Sequence, residues 1–415
     1  MILLQNVRFQ DKPAHILVSG ERIARISREP LEVPGAEVVD CSGRAVIPGF
    51  VNMHTHAAMV LLRGIHEDLA LYDWLNGIWK IEAGLDRDFI YWGTKVACLE
   101  MLRSGTTTFN DQYWYCPHAR RAALEMGIRP VVSFIFLDSH DPELARRQRE
   151  ACQRLYDRTL EWGEEGLFTI SIHSVYTVSE ENIVWANRFA LEHGLRVHLH
   201  LAETVQEDTD CRKAHGGLSP TAYFNSLGIL GPHVIAAHSL HLDDDDILIL
   251  GEHKVNCVHN INSNLKLASG FRFRYNELRD AGANVCLGTD GAASANDMDM
   301  LAHMKNVALL QKAWRGNPAE MPLKELFDCA TEHGARALGL DSGVIREGAL
   351  ADLSLVDITG TAFLSPAPMA ANLVYAARSE VITDVMVAGK WAMRGHVIPG
   401  EEEILSGARS VLSQI

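Results

Sequence analysis

Short apolar segments alternate with longer segments of helical periodicity through the middle of the chain, from about residue 50 to residue 290. There are eight apolar segments, and they read GFVNMHTH, GTTTFNDQ, RPVVSFIFLD, FTISIHSV, RVHLHLAE, VIAAHSLHL, KVNCVHNI and NVCLGTD. Strands that alternate with helices favour a parallel sheet of βα units, and eight such units close into a barrel. The sequence therefore predicts the α/β class and a (β/α)8 TIM barrel.

A different rhythm marks both ends of the chain. The first 50 residues contain short strand-like segments separated by turn residues, and this pattern returns after about residue 340. A chain of 415 residues is also long enough for more than one core. We therefore expect a small β-sandwich domain made from residues 1–50 and 344–415, with the barrel of residues 51–343 inserted between its two parts.

Charge, hydropathy and cysteine usage exclude several classes of protein. The formal net charge of −15 argues against nucleic acid and anionic membranes as partners. No apolar run reaches the roughly 18 residues of a membrane span, and the N-terminus lacks the layout of a signal peptide. The eight cysteines form no C-x-x-C pair, which favours a reducing compartment. We expect a cytoplasmic protein that acts on a small molecule, and we leave open whether it forms a homo-oligomer.

Histidines occur at the C-terminal ends of the predicted barrel strands, the face on which barrel active sites lie. His54 and His56 end the first strand, and their i, i+2 spacing points both side chains to the same face. His200 ends the fifth strand, and Asp290 ends the eighth. These four side chains offer three nitrogens and one oxygen, a set suited to Zn2+, with Fe2+ as the alternative.

One metal ion is expected rather than two. A second metal needs a bridging carboxylate, often a modified lysine on the fourth strand, and the segment FTISIHSV contains no lysine. His198 competes with His200 as a ligand because both face the same side of the strand. His198 lies two residues deeper, roughly 6–7 Å further from the barrel mouth. We therefore interpret it as an interior histidine.

The same strand ends supply groups for proton transfer. A metal of this kind lowers the pKa of a bound water towards about 7. Asp290 can accept a proton from that water, and His238 can hydrogen-bond the attacking oxygen. Glu203 lies just past the fifth strand, where it can carry protons to the substrate and the leaving group. The alternative is that Glu203 caps the following helix. Such a set is suited to hydrolytic attack on the carbon of a C=N or C=O bond.

Five strand-end motifs carry a family resemblance: PGFVNMHTH, HLHLAET, AAHSLHL, HNINSNLKLASG and LGTDGAASAND. They occur in this order over nearly the whole chain, and together they resemble the amidohydrolase superfamily. The narrower resemblance is to the 5′-methylthioadenosine/S-adenosylhomocysteine deaminases and related chlorohydrolases. It implies a metal-dependent hydrolase of C–N bonds other than peptide bonds, which deaminates a 6-aminopurine nucleoside to the inosine-type product and ammonia.

The resemblance also implies roles for single residues. The residues that match the ligands of the metal are His54, His56, His200 and Asp290. The residues that match the catalytic groups are Glu203, His238 and Asp290. Glu82 matches the residue that binds the ribose hydroxyls, and His173 matches the histidine that contacts the nucleoside. Trp74 and Trp79 lie in the segment expected to cover the mouth, where Trp79 can stack on a purine or pack in the core.

The chain departs from the family pattern where the tail of the substrate would lie. Members that accept homocysteine carry an arginine at the end of the third strand, where we place Phe134. An apolar ring cannot pair with a carboxylate, and an unpaired buried carboxylate is costly. Replacement cations are Arg146, Arg147, Arg272 and Arg274, unless these face solvent. We expect neutral-tailed nucleosides (5′-methylthioadenosine, adenosine or 5′-deoxyadenosine), with S-adenosylhomocysteine as a further substrate.

Two other functions stay open at the level of sequence. The same site would serve a deaminase of guanine, 8-oxoguanine or a pterin, or a halotriazine hydrolase. The ribose contact through Glu82 separates these enzymes from one that acts on nucleosides. A barrel without activity is the second alternative, and it is disfavoured because every expected metal ligand is present together with Glu203.

Overall fold

A computed structural model describes residues 1–162 and 167–413 of the chain. Its first strands are β1 (Ile2–Phe9), β2 (Lys12–Ser19), β3 (Arg22–Ser27), β4 (Glu37–Asp40) and β5 (Arg44–Pro48). Strands β1, β2 and β3 pair in antiparallel order, whereas β4 and β5 run parallel to β1. These short strands confirm the all-β rhythm predicted for the beginning of the chain.

The barrel follows directly. Its strands are β6 (Phe50–Thr55), β7 (Thr106–Asp111), β8 (Arg129–Phe136), β9 (Phe168–Ile172), β10 (Arg196–Leu201), β11 (Val234–His238), β12 (Asn256–His259) and β13 (Asn284–Leu287). Each strand from β6 to β13 pairs in parallel with the next. The backbone N–H of Asp290, past β13, donates to the carbonyl of His54 in β6 at 2.9 Å, so the last strand returns to the first. The prediction of an eight-stranded parallel barrel is confirmed.

Helices alternate with these strands and cover the barrel. They are α1 (Leu71–Glu82), α2 (Arg87–Arg103), α3 (Cys116–Glu125), α4 (Pro142–Glu161), α5 (Glu180–Glu192), α6 (Val205–Ala214), α7 (Pro220–Ser226), α8 (Asp244–Glu252), α9 (Ile261–Lys266), α10 (Tyr275–Ala281), α11 (Ala292–Ala295), α12 (Met300–Arg315), α13 (Leu323–Ala330), α14 (Glu332–Leu338), α15 (Met369–Tyr375) and α16 (Glu401–Leu412). Short 3-10 turns span Ala57–Leu62, Thr361–Phe363 and Ser379–Val381. Within the described residues, no helix is both long and apolar enough to cross a membrane.

The C-terminal strands complete the sheet that β1 to β5 begin. They are β14 (Leu353–Asp357), β15 (Ile382–Val387) and β16 (Lys390–Met393). Strand β14 pairs antiparallel with β5, and β15 and β16 extend the edge. The result is one eight-stranded mixed sheet from both chain ends, which we call the end sheet. It has its own apolar core.

On the N-terminal side of the barrel, a single residue joins it to the end sheet. Strand β5 ends at Pro48, and β6 begins at Phe50, so only Gly49 lies between the two sheets. A Cβ atom at Gly49 would lie 2.2 Å from Cγ2 of Thr107, closer than any real contact. Glycine is therefore required here because the backbone of the junction packs directly on β7. The first barrel strand, which carries His54, is therefore connected to the end sheet by a linker of one residue.

Candidate active site

Four side chains bring their ligand atoms together at the C-terminal mouth of the barrel. His54 lies in β6 and His56 directly follows it, His200 lies in β10, and Asp290 follows β13. Oδ1 of Asp290 lies 3.4 Å from Nε2 of His54 and 3.3 Å from Nε2 of His56. Nε2 of His200 lies 3.4 Å from Nε2 of His56. The four side chains predicted as metal ligands therefore form one cluster in the structure.

Hydrogen bonds behind this cluster leave the Nε2 atoms free for a cation. Nδ1 of His56 donates to the carbonyl of Gln112 at 2.6 Å, and Nδ1 of His200 donates to that of His173 at 2.7 Å. A proton on Nδ1 leaves a lone pair on Nε2. Nε2 of His54 is buried and has no hydrogen-bond partner among the described residues. These convergent lone pairs, together with a carboxylate, fit a divalent metal ion.

His198 lies beneath the cluster. Its Nε2 atom is 2.9 Å from Nδ1 of His54, and its Nδ1 atom is 3.1 Å from Nδ2 of Asn110. The side chain is fully buried, and both of its ring nitrogens have partners. His198 therefore contacts His54 from below and stands apart from the atoms that converge at the mouth, as an interior histidine would.

Glu203 and His238 face each other beside the cluster. Glu203 follows β10, His238 ends β11, and Oε2 of Glu203 lies 3.7 Å from Nε2 of His238. Nε2 of His238 lies 3.9 Å from Oδ2 of Asp290. Burial, with a smaller contribution from the charge of Asp290, raises the pKa of Glu203 to about 8. A carboxyl group with such a pKa can hold a proton at neutral pH and release it during a reaction.

A second glutamate, which sequence reasoning missed, holds the backbone of Glu203. Glu207 accepts hydrogen bonds from the N–H of Ala202 at 2.9 Å and from that of Glu203 at 2.7 Å. Helix α6 is capped by Thr204, whose hydroxyl accepts from the N–H of Glu207, so Glu203 is not the cap. Ala202 has a left-handed φ of 50°, and these bonds help hold that strained backbone. The available signal was an acidic residue one helical turn beyond Glu203.

Asn264 fixes the orientation of His238 and was also missed. Its Oδ1 atom lies 2.8 Å from Nδ1 of His238. An amide oxygen only accepts, so His238 carries its proton on Nδ1 and turns the lone pair of Nε2 toward Glu203. His238 and Asp290 both have a left-handed backbone, with φ of 71° and 66°. Strained backbone at two neighbouring side chains of one cluster is typical of a functional site.

A cavity of about 650 Å³, including its open mouth, lies above the cluster. Helix α1 contributes Trp74 and Trp79 to its wall, and the ring of Trp79 meets His173 with centroids 6.2 Å apart. Glu82, at the end of α1, accepts a hydrogen bond from the hydroxyl of Tyr113, and burial raises its pKa. Burial lowers the pKa of His173 to about 3, so its ring stays neutral. All the residues predicted to bind substrate line this cavity: Glu82, His173, Trp79 and Glu203.

The expectation that Phe134 faces the tail of the substrate is wrong. In β8 the ring of Phe134 packs against Phe136, with centroids 5.1 Å apart. Side chains alternate between the two faces of a strand, so Ile135 and Leu137 line the cavity instead. The position assigned from sequence was one residue out of register, and the side chains that do face the cavity are equally apolar.

No lysine or arginine lines the cavity within residues 1–162 and 167–413. Arg146 pairs with Glu143 and Glu150 along α4. Arg274 pairs with Asp244, and Arg147 and Arg272 are exposed to solvent. None of the four candidate cations therefore reaches the cavity, and a carboxylate tail would find no positive partner among the described residues.

Comparisons with known proteins find relatives over nearly the full length of the chain. The amidohydrolase family profile matches residues 45–392. The 5-methylthioadenosine/S-adenosylhomocysteine deaminase 1 of Archaeoglobus fulgidus is 43% identical over 411 residues, which are 98% of this chain and 96% of that protein. The 5′-deoxyadenosine deaminase of Methanoregula boonei is 40% identical over 425 residues, 100% of this chain and 95% of that protein. Among solved structures, an adenosine deaminase from Xanthomonas campestris with bound zinc has a TM-score of 0.88 at 32% identity, and the match covers 97% of this chain and 94% of that chain.

Proposed function

Because the chain belongs to the amidohydrolase family and is a hydrolase of C–N bonds, we propose that it deaminates 6-aminopurine nucleosides. The expected substrates are 5′-methylthioadenosine, 5′-deoxyadenosine and adenosine, and the products are the 6-oxo nucleoside and ammonia. Two relatives that match almost the whole chain at 40% identity or more carry the names of deaminases of such nucleosides. Their match over almost the whole chain supports the transfer of this substrate class.

One observation carries the proposal: the buried pair of Glu203 and His238 beside the histidine–aspartate cluster. The 3.7 Å between their side chains places a proton carrier next to a hydrogen-bond acceptor. Hydrolytic deamination needs both, because the ring nitrogen N1 must gain a proton while water adds to C6. Glu82, on the wall of the same cavity, supplies a carboxylate for the ribose hydroxyls.

We propose Zn2+ as the metal, held by His54, His56, His200 and Asp290, with Fe2+ as the alternative. When bound, the ion activates the attacking water as a Lewis acid. The two rings are already oriented for the metal, because the Nδ1 atoms of His56 and His200 donate hydrogen bonds to backbone carbonyls. Ligand rings fixed in this way need no reorientation when the metal binds.

The side chains divide the proton transfers between them. Water adds to C6, one of its protons passes to Asp290, and Glu203 donates its own proton to N1. His238 accepts a hydrogen bond from the attacking oxygen through Nε2. The proton on Asp290 then passes to the 6-amino nitrogen, the C6–N bond breaks, and ammonia leaves with the electron pair. The remaining hydroxyl proton returns to Glu203 as the C6 carbonyl forms.

Substrates with a neutral tail should be preferred over S-adenosylhomocysteine. The described cavity wall contains no lysine or arginine, so the carboxylate of homocysteine would be desolvated without a partner. We expect kcat/KM for 5′-methylthioadenosine to exceed that for S-adenosylhomocysteine by at least about tenfold. Steady-state kinetics on both substrates measure this ratio. In the variant Leu137→Arg this ratio should fall. Equal kcat/KM values for the two substrates in the unmodified enzyme would contradict the prediction.

Removal of the Glu82 carboxylate should weaken recognition of the sugar. In Glu82→Ala we expect kcat/KM for adenosine to fall by about 10- to 100-fold, because hydrogen bonds to a charged group contribute roughly 1.5–3 kcal/mol. Any turnover of free adenine should stay unchanged, since adenine lacks the ribose. Tyr113→Phe is the matched variant, because it removes the hydroxyl that Glu82 bonds but keeps the carboxylate. Unchanged kinetics with adenosine in Glu82→Ala would exclude the ribose contact.

The direct test of the proposed function is a substrate screen with the zinc-loaded protein. Ammonia release and the change in purine absorbance are measured with adenosine, 5′-methylthioadenosine, 5′-deoxyadenosine, guanine and isoxanthopterin. Turnover of the nucleosides supports the proposal. Turnover of a free base alone would assign the chain to a deaminase of another heterocycle, and would remove Glu82 from the substrate contacts.

A further inference from the structure

The side-chain amide of Gln112 is buried in the wall of the cavity and has no hydrogen-bond partner among the described residues. Gln112 directly follows the second barrel strand, β7, and is 1% exposed. It belongs to the cavity lining, together with Glu203 and Asp290. Neither its Nε2 nor its Oε1 atom has a hydrogen-bond partner in the described part of the chain. A primary amide that is buried with both polar atoms unpaired is destabilising unless a ligand completes its hydrogen bonds.

The main chain holds this amide in a fixed relation to the metal cluster. The N–H of Gln112 donates to the carbonyl of Thr55 at 2.9 Å. Its own carbonyl accepts from Nδ1 of His56 at 2.6 Å. Both neighbours belong to the end of the first barrel strand, so Gln112 cannot shift without moving a predicted metal ligand. Its side chain is thus positioned for a ligand that binds at the cluster.

The order of the strands determines which edge of a purine meets Gln112. In an eight-stranded barrel, the second strand lies across the mouth from the sixth, which carries His238. Glu203 follows the fifth strand and faces His238. A purine that presents C6 to the cluster and N1 to Glu203 turns its N6/N7 edge in the opposite direction. That direction is the side of the first two strands, and Gln112 directly follows the second.

We propose that Gln112 binds the N6/N7 edge of the 6-aminopurine, an inference that rests on the proposed function. Nε2 donates to N7, and Oε1 accepts from the 6-amino group that leaves as ammonia. Glutamine matches this edge of adenine in a bidentate manner because the amide offers one donor and one acceptor at the required separation. Gln112 is therefore a specificity residue for 6-aminopurines, in which N7 accepts and N6 donates.

The test combines a substitution with the deletion of a single ring nitrogen. Gln112→Met keeps the length of the side chain and removes the amide. The zinc-loaded variant and unmodified enzyme are compared on adenosine, 7-deazaadenosine and 3-deazaadenosine. Where turnover is too slow to measure, the inhibition constant against adenosine replaces kcat/KM. Thr169→Val is the control, because it removes another buried, unpartnered polar atom from a barrel strand outside the cavity lining.

We expect Gln112→Met to lower kcat/KM for adenosine by about tenfold, the effect of one or two neutral hydrogen bonds. The loss should be similar with 3-deazaadenosine and should shrink to about threefold with 7-deazaadenosine, which lacks the N7 acceptor but keeps the 6-amino donor. Thr169→Val should leave all three values unchanged. Gln112→Met should melt no lower than the unmodified protein, since the amide has no partner within the described chain.

Three results would overturn the inference. The first is an equal loss of kcat/KM in Gln112→Met on adenosine and on 7-deazaadenosine. The second is a loss that shrinks with 3-deazaadenosine instead of 7-deazaadenosine. The third is a lower melting temperature of Gln112→Met, which would show that the amide is paired within the protein. These outcomes differ from failure of the proposed function. In that case the unmodified enzyme itself would not turn over any of the nucleosides.

Discussion

Replacement of Glu203 by glutamine is expected to lower kcat for 5′-methylthioadenosine by about a thousandfold, within the usual range for loss of a general acid. The amide keeps the size of the side chain but cannot donate a proton to N1 and recover it later. KM should change little, because Glu203 acts in the transition state more than in binding. Stopped-time ammonia assays at several substrate concentrations measure kcat and KM, and metal analysis is carried out on the same preparation.

The metal content of Glu203→Gln should stay at one ion per chain, since Glu203 lies outside the ligand cluster. Glu180→Gln is the matched control because it neutralises a carboxylate that bonds Tyr223, outside the cavity lining. It should retain full activity. Near-normal kcat in Glu203→Gln would assign the proton transfers to another group. Loss of the metal in this variant would contradict the placement of Glu203 outside the ligand set, and its proposed role in proton transfer would then lack support.

Removal of the metal should abolish turnover. Dialysis against a chelator is expected to reduce kcat by at least about a thousandfold, because the activation of water at neutral pH depends on the ion. Addition of Zn2+ should restore activity, and anaerobic addition of Fe2+ tests the alternative metal. The apoprotein should also melt at a lower temperature, since an ion that binds only the folded chain stabilises it.

Two histidine variants locate the site. His200→Ala should bind less than one ion per chain, because Nε2 of His200 faces Nε2 of His56 at 3.4 Å. His241→Ala is the control: His241 also follows a barrel strand, but its Nε2 lies 2.6 Å from the carbonyl of Ser269, outside the cluster. It should keep a full complement of metal. Equal loss of metal in the two variants would argue against the ligand set.

Much of the architecture could be predicted from sequence because it depends on periodicity. Eight apolar segments at regular spacing predict the barrel, and the i, i+2 spacing of His54 and His56 points both to one side. These inferences need only local geometry. The chemistry at the strand ends follows because parallel strands place their C-terminal ends at one face.

Other features depend on contacts that the sequence does not express. Asn264 reaches His238 from helix α9, and Glu207 acts through backbone N–H groups. The left-handed backbone of His238 and Asp290 has no signature in their residue types. The placement of Phe134 at the cavity was wrong for a different reason. A shift of one residue along β8 moves a side chain from the cavity face to the outer face of the strand. The sequence did not single out Gln112, because its role is inferred from its burial and from its unpaired polar atoms, and both are known only from the structure.

The junction at Gly49 has a consequence for the order in which the nascent chain folds. Strand β5 pairs on one side with β14, which is made some three hundred residues later, according to their positions at Arg44–Pro48 and Leu353–Asp357. During synthesis the edge of β5 that later pairs with β14 therefore stays unpaired while the ribosome makes the whole barrel. We expect the barrel to acquire compact structure first and the last sixty or so residues to close the sheet after release from the ribosome. Truncation before β14 should thus yield a chain whose exposed edge associates with other copies, although every side chain of the candidate active site has already been made.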